Sequence, residues 1–245
     1  MKKLALVVPC YNEEKRLDFE AIENYLQKAD GTHLYFANDG STDQTLSLLE
    51  KFCARFENAS VVNFEQNRGK AETVRLATVE ILNNHECDLI GFWDADLATP
   101  LNEIDNFLRE LKNRESIKVI LGTRILRLGV TINRKRYRHY LGRVFATIVS
   151  MMLKLPVYDT QCGAKIFDAK LAKKIYQEKF VTKWFFDVEL FFRSIDPKIG
   201  GVSKDSFYEL PLEKWEDVAG SKLKPTDFIK TPIELFKIYM KYYNA

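Results

Sequence analysis

The sequence holds few of the residues from which metal centres and disulfide frameworks are built. Its four cysteines, Cys10, Cys53, Cys87 and Cys162, stand far apart, and only three histidines occur in 245 residues. Without a C-x-x-C pair, a zinc site is not encoded. The thiols read as reduced, in a cytosolic chain. Long apolar runs are missing as well: no stretch approaches the ~18–20 residues of a membrane span. The N-terminal MKKLALVVPCYNEE has the outline of a signal peptide. Its apolar run, however, is only about six residues, shorter than an h-region, and acidic residues follow at once. It reads instead as a first buried strand. Neither G-x-G-x-x-G nor G-x-x-x-x-G-K-[ST] is present, which removes the usual sequence warrant for a dinucleotide enzyme or a P-loop NTPase. Charge of one sign is not in excess either. The balance is 37 Lys and Arg against 34 Asp and Glu, net +3, which does not by itself suggest a nucleic-acid binder. No Gly-, Ser- or Pro-rich linker and no internal repeat divides the chain, so one domain is the economical reading.

What is present is a regular alternation. Hydrophobic residues make up 46% of the chain, enough for a sizeable core. Apolar runs at 4–8, 33–37, 61–64, 89–93 and 118–122 read as strands. Helices are expected over about 14–29, up to Phe56, over 70–84 and over 102–113. Ser41 and Gln44 have capping-box spacing for the second of these. Near-continuous apolar strands alternating with amphipathic helices predict a mostly parallel α/β sheet covered on both faces. Ligands in such sheets sit outside the carboxyl ends of the strands. Those ends carry Pro9-Cys10-Tyr11-Asn12-Glu13, Asn38-Asp39-Gly40, Asn67-Arg68-Gly69-Lys70, Asp94-Ala95-Asp96 and Gly122-Thr123-Arg124. Five polar ends on one sheet edge make a site.

Within it, GFWDADLATP (91–100) runs a strand into two carboxylates one residue apart. As turn residues, Asp94 and Asp96 would only satisfy local backbone. On an extended backbone both carboxylates face the same way, a hard oxygen site suited to Mg²⁺ or Mn²⁺ bridging phosphates. Arg68 and Lys70 at a helix start oppose the helix dipole and so invite an anion.

The motifs VVPCYNEE, NDGSTDQT, NRGKAETVR, DADLATP, GTR, DTQCGAKIF and WFFDVEL occur in the order found in family 2 inverting glycosyltransferases of the GT-A fold. Over about residues 4–215 the chain most resembles the dolichyl-phosphate and polyprenyl-phosphate hexosyltransferases of the glucosyl type. The resemblance implies a single GT-A domain over 1–215, followed by a C-terminal helical extension over 216–245. Many such relatives carry transmembrane helices after the catalytic domain, whereas no transmembrane segment is expected here. It implies hexose transfer, with UDP-glucose as donor and a polyprenyl phosphate as acceptor. Transfer to a saccharide hydroxyl is the alternative. By the same resemblance Pro9, Tyr11 and Glu13 form the nucleotide loop, Asn38 and Asp39 recognise the base, and Arg68 and Lys70 lie near the diphosphate. Asp94 and Ala95 lie near the sugar and ribose, and Asp96 ranks above Asp94 as ligand of Mg²⁺ or Mn²⁺. Ala98 replaces a Gln that some relatives use as a further metal neighbour.

The second half is less regular. Arg124, Arg127, Arg134, Lys135, Arg136, Arg138 and Arg143 crowd one segment, and an apolar stretch follows at about 140–153. A phosphate acceptor is already anionic and needs Arg contacts rather than a base. The resemblance makes this the acceptor-binding segment, with Arg124 and Arg138 as phosphate clamps and Gln161 beside them. Alternatively the run is a solvated basic loop. Nucleic acid is disfavoured, since only Tyr137 and Tyr140 offer stacking. The apolar stretch reads as a core helix or as a peripheral contact with the cytoplasmic membrane face, directly or through a membrane-protein partner. Asp159 is expected to shape the acceptor side. Asp187 is expected to be either a base or structural, and with Glu189 it also suits a helix N-terminus. The Gln161-Cys162-Gly163 turn is expected to let backbone approach the donor sugar.

Overall fold

The computed structural model describes the backbone of residues 2–133, 136–216 and 225–243, and the side chains of these except 133–141, 225–230 and 243. The chain begins β1 (Leu4–Cys10), α1 (Phe19–Leu26), β2 (Thr32–Asp39), α2 (Thr45–Cys53), β3 (Ala59–Phe64), α3 (Lys70–Asn84), β4 (Leu89–Trp93), α4 (Glu103–Asn113) and β5 (Val119–Thr123). It continues with β6 (Thr131–Asn133), α5 (Arg136–Leu153), β7 (Ala164–Asp168), α6 (Ala169–Ile175), α7 (Phe186–Ile195), a 3-10 turn (Lys204–Ser206), β8 (Phe207–Pro211), β9 (Lys214–Glu216) and α8 (Pro225–Tyr243).

Seven strands form one sheet in the order β3-β2-β1-β4-β7-β5-β8. All run parallel except β7, which pairs antiparallel with β4 on one side and β5 on the other. The expected parallel sheet is therefore present, with one reversed strand inserted at its centre. Gly91 makes the insertion possible: a Cβ there would lie 2.1 Å from the carbonyl oxygen of Lys165. Pro9 is tolerated in a central strand because β4 pairs with β1 only as far as Val7↔Phe92, leaving Pro9 with β2 as its strand neighbour. A small parallel ribbon, β6 with β9, lies outside the main sheet.

Side-chain alternation along β1 splits the interior in two. Leu4, Leu6 and Val8 face a core completed by α1, α2 and α4, including Ile22, Leu49 and Phe107. Ala5 and Val7 face the opposite core, under α3 and α6, with Val74, Ile81 and Ile175. A third cluster lies at the β5 side, where Leu121 meets Val149 and Leu153 of α5, Val188 and Phe191 of α7, and Leu235 and Ile238 of α8.

Two expectations about helix starts are corrected. The first helix does not begin near 14. Residues 13–17 form a turn in which the Arg16 and Leu17 amides donate to the Glu13 carbonyl, and Asp18 then caps α1 by accepting from the Ala21 amide. The Ser41–Gln44 capping box does not form. Ser41 Oγ instead accepts from the Asn12 amide, and the Asp43 carboxylate accepts from the Thr45 amide and hydroxyl at the start of α2.

Candidate active site

The loop after β1 is tied to the loop after β2. Asn12 Oδ1 accepts from the Thr42 amide at 2.8 Å, the Glu13 amide donates to Thr45 Oγ1, and Glu14 exchanges bonds with Asp43 and Gln44. Asn12 takes φ 51°, a left-handed conformation that Asn tolerates better than most residues. Pro9 and Tyr11 are half-buried at this rim, and Glu13 is buried beside Arg16. Asn38 and Asp39 end β2 as expected, but their polar atoms are already engaged. Asn38 Nδ2 donates to Asn63, and its Oδ1 accepts from the Ser41 amide. The Asp39 carboxylate accepts from the Arg68 and Gly69 amides at 2.7 and 2.9 Å. It thereby holds the turn that starts α3 and fixes where Arg68 and Lys70 stand.

At the end of β4, Trp93 Nε1 donates to the Thr99 carbonyl, pinning the turn that carries both carboxylates. Asp94 Oδ1 accepts from Lys70 Nζ at 2.5 Å. Asp96 Oδ1 accepts from the Ala98 amide, and its other oxygen lies 3.6 Å from Arg16. Burial, and then the neighbouring Asp94, push the Asp96 carboxyl above its ordinary range. Burial works against the Lys70 ammonium, but Asp94, Asp187 and Asp96 outweigh it and raise its pKa. Gly163 admits Asp94, whose carboxylate would lie 1.8 Å from a Cβ at that position.

Asp187 stands in the first turn of α7, only 5% exposed. Its Oδ1 lies 2.5 Å from Lys165 Nζ, a side chain of β7 with no exposed surface that also donates to the Cys162 carbonyl. Lys165 and Lys70 both lie over the ring of Phe92, at 5.2 and 5.7 Å. Glu189 is structural: it accepts from Arg193, from the Tyr242 hydroxyl of α8 and from the Val181 amide.

On the other flank, Arg124 Nε and Nη2 donate to the two oxygens of Asp159 at 2.6 and 2.8 Å. Burial opposes the guanidinium charge, but Asp159 dominates and raises its pKa, with Asp94 contributing. Arg124, expected as a phosphate clamp, has its Nε and Nη2 taken by Asp159. Arg124 also lies 5.3 Å over Trp215 of β9. Glu209 accepts from the Tyr158 and Asp159 amides, fixing the Asp159 turn on β8. The Glu103 carboxylate accepts from the Glu213 and Lys214 amides, and the Glu216 amide donates to the Ala98 carbonyl. The β9 segment is thus fastened to the Asp94–Asp96 turn. Three buried polar atoms beside the Arg124–Asp159 pair lack a hydrogen-bond partner: Thr123 Oγ1, Thr160 Oγ1 and Gln161 Nε2. Buried polar groups are normally paired, so such a cluster suits an oxygen-rich ligand. The Arg138 side chain lies outside the described residues.

The structure thus gathers Asp94, Asp96, Lys70, Arg124, Asp159 and Gln161 around one crevice, and the charge of Asp187, paired with Lys165, also reaches Lys70. Sequence reasoning missed Lys165, Arg16, Glu103, Glu209 and Trp215. Lys165 had a signal, since a lone lysine inside the apolar run AKIF has to be buried with a partner.

Hard carboxylate oxygens suit a divalent cation, and two carboxylates with phosphate oxygens are a usual set for Mg²⁺. Among the described residues no group of three His, Cys, Asp or Glu side chains forms a complete protein site, so phosphate oxygens would have to finish it. Of the two carboxylates, Asp94 carries the Lys70 ion pair, whereas the outer oxygen of Asp96 faces Arg16 at 3.6 Å.

Comparison with known proteins gives the family and the fold. The sequence model of glycosyl transferase family 2 matches residues 5–176. A dolichyl-phosphate beta-glucosyltransferase of Trichomonas vaginalis is 29% identical over 248 residues, covering 96% of this chain and 72% of that protein. The Mus musculus dolichyl-phosphate beta-glucosyltransferase is 30% identical over 239 residues, covering 91% and 70%. Glucosyl-3-phosphoglycerate synthase of Mycobacterium tuberculosis, crystallised with Mn²⁺, UDP-glucose and phosphoglyceric acid, superposes with a TM-score of 0.67 at 19% identity. That match covers 97% of this chain and 80% of the other. At that identity the likeness is one of fold.

Proposed function

The chain belongs to glycosyl transferase family 2 and has the GT-A fold, and on that footing we propose that it moves glucose from UDP-glucose to a dolichyl or other polyprenyl phosphate. The glucose transfer and dolichyl-phosphate acceptor named for its relatives support this reading, and the UDP-glucose bound by the structural neighbour suggests the donor. The observation that carries it is the juxtaposition of the Asp94–Asp96 pair with the unsatisfied polar atoms flanking Arg124–Asp159. One side of the crevice suits a diphosphate and its cation; the other suits an incoming oxygen-rich group.

In this reading the loops after β1 and β2 seat the nucleoside. Asp39 holds the α3 turn so that Arg68 and Lys70 face the diphosphate. Lys70 orients Asp94 through their ion pair. Asp96, with Asp94 beside it, would hold Mg²⁺ or Mn²⁺, which when bound neutralises charge on the departing nucleoside diphosphate. Asp159 and Arg124 fix the wall along which the acceptor enters, and Gln161 Nε2 supplies a free donor there. A phosphate acceptor attacks the anomeric carbon as an anion and needs no general base. A hydroxyl acceptor would need one, and Asp187, the residue expected for that role, is engaged by Lys165 in the interior. This favours the phosphate.

The test is nucleotide release by the purified protein with Mg²⁺ or Mn²⁺, across UDP- and GDP-sugars, each with and without a short polyprenyl phosphate. Release of UDP that requires both UDP-glucose and the lipid phosphate is expected. Release that ignores the lipid phosphate but rises with a saccharide would replace the acceptor assignment.

A further inference from the structure

We propose that the outer sides of α5 and α8, together with the loop after β5, form a docking surface for an anionic lipid bilayer. This rests on the acceptor being a lipid phosphate, and it names the surface that brings the crevice to it.

Every exposed large hydrophobic side chain among the described residues lies after position 125. On α5 these are Val144, Ile148 and Met151; on α8 they are Ile233, Phe236 and Met240. The spacings i, i+4, i+7 and i, i+3, i+7 each draw one stripe along a helix. Both helices already bury another side: Ala146, Val149 and Leu153 on α5, Leu235 and Ile238 on α8. The two helices pack against α7 through the third core, and α8 is bolted there by Tyr242, whose hydroxyl donates to Glu189 and accepts from Arg193. Their stripes therefore remain outside after folding is complete. A surface helix of a soluble protein ordinarily turns polar residues outward.

Charge identifies what covers these stripes. Residues 118–158, which include β5, the following loop and all of α5, contain nine Lys or Arg and no Asp or Glu. Lys118 and Arg124 are held by Asp168 and Asp159, but Arg127 is exposed between Leu126 and Leu128, Lys154 is exposed at the end of α5 and Lys237 is exposed beside Phe236. A second copy of this chain would present the same cations across an isologous interface and be repelled. A bilayer rich in anionic headgroups attracts them while taking up the apolar side chains at the headgroup–acyl boundary. No described helix is long and apolar enough to cross a membrane, so the contact is made along the surface. Leu126 and Leu128, both exposed, follow Arg124 directly. A bilayer at this face therefore lies at the acceptor flank of the crevice. Trp184, exposed beside Lys183 ahead of α7, suits the same interface.

The experiment is flotation of the purified chain with vesicles of phosphatidylcholine alone and of phosphatidylcholine with phosphatidylglycerol. The same is done for Ile148→Asp/Met151→Asp/Phe236→Asp and, as a variant in a loop that carries no core contact, for Leu128→Asp. The wild type should float with the anionic vesicles and not with the neutral ones. Both variants should partition more weakly, the triple one by roughly tenfold or more. UDP binding and transfer to a water-soluble short-chain acceptor should be unchanged in each. Vesicle binding equal in wild type and both variants would overturn the proposal. So would a wild-type dimer that the triple variant converts to monomer by light scattering, since a second copy would then own the surface. Loss of transfer to every soluble lipid phosphate, with flotation intact, would instead count against the acceptor assignment.

Discussion

The half of the molecule before Arg124 and the half after it use buried charge differently. In the first, two buried carboxylates serve the backbone, Asp39 accepting the Arg68 and Gly69 amides and Glu103 the Glu213 and Lys214 amides, while Glu13 pairs with the partly exposed Arg16. In the second, buried charges are paired side chain to side chain, as Lys165–Asp187, Arg193–Glu189 and Arg124–Asp159. The surfaces differ in parallel, with exposed large hydrophobics confined to the second half among the described residues. The lesson is one of construction. Successive βα units bring the strand-end loops of the first half together by local chain geometry, whereas the Arg124–Asp159 flank is assembled from segments far apart in sequence and is held by an ion pair.

The sharpest way to break the comparison is at the carboxylate pair. Asp96→Ala should lower turnover by about a thousandfold, roughly 4 kcal/mol of lost transition-state stabilisation, with the far-UV spectrum and thermal melt intact. Turnover within tenfold of wild type would remove the cation from the site. The next effect is on stability. Lys165→Met leaves a buried Asp187 unpaired and should cost about 3–5 kcal/mol in urea unfolding, most of it recovered in Lys165→Met/Asp187→Leu. Lys70→Met, at a residue exposed to the crevice, should cost under about 1 kcal/mol while impairing activity. If both lysine variants unfold alike, the contrast between the halves fails. Arg124→Lys cannot reproduce the two-point bond to Asp159. A roughly tenfold loss in kcat/KM for the lipid phosphate is expected, with UDP affinity unchanged. A matching loss of UDP affinity would mean that the two flanks are not separable.

The smallest effect concerns Asp96 again. Its folded pKa is raised, so its ionised form opposes folding, and that opposition is present at neutral pH and vanishes as pH falls below the unfolded value. Asp96→Asn should therefore raise Tm by about 1–3 °C at pH 7 and by progressively less toward acid, although turnover is lost. A Tm gain that grows on acidification would reverse the sign of the argument.

Much of the first half was legible in the sequence because it is periodic. The helix expected over 70–84 and the strand over 89–93 coincide with α3 and β4. The five polar strand ends do lie on one edge, since parallel strands joined by helices have no other way to end. The helix starts were less legible. The expected Ser41–Gln44 box does not form, because the Asn12 amide, some thirty residues earlier, donates to Ser41. On the acceptor side, Arg124 and Asp159 were both singled out, but a spacing of 35 residues carries no sign that each is the other's partner.

By itself the sequence determined the alternation of buried strands and amphipathic helices, and with it the edge on which Asp94 and Asp96 emerge, because burial and backbone period are local properties. Only the tertiary structure decided that β7 runs against its neighbours, that Gly91 and Gly163 admit it and the Asp94 carboxylate, and that Lys165 meets Asp187. Those outcomes depend on which distant segments share a low-dielectric interior, where a charge has to find a partner and a missing Cβ decides what can approach.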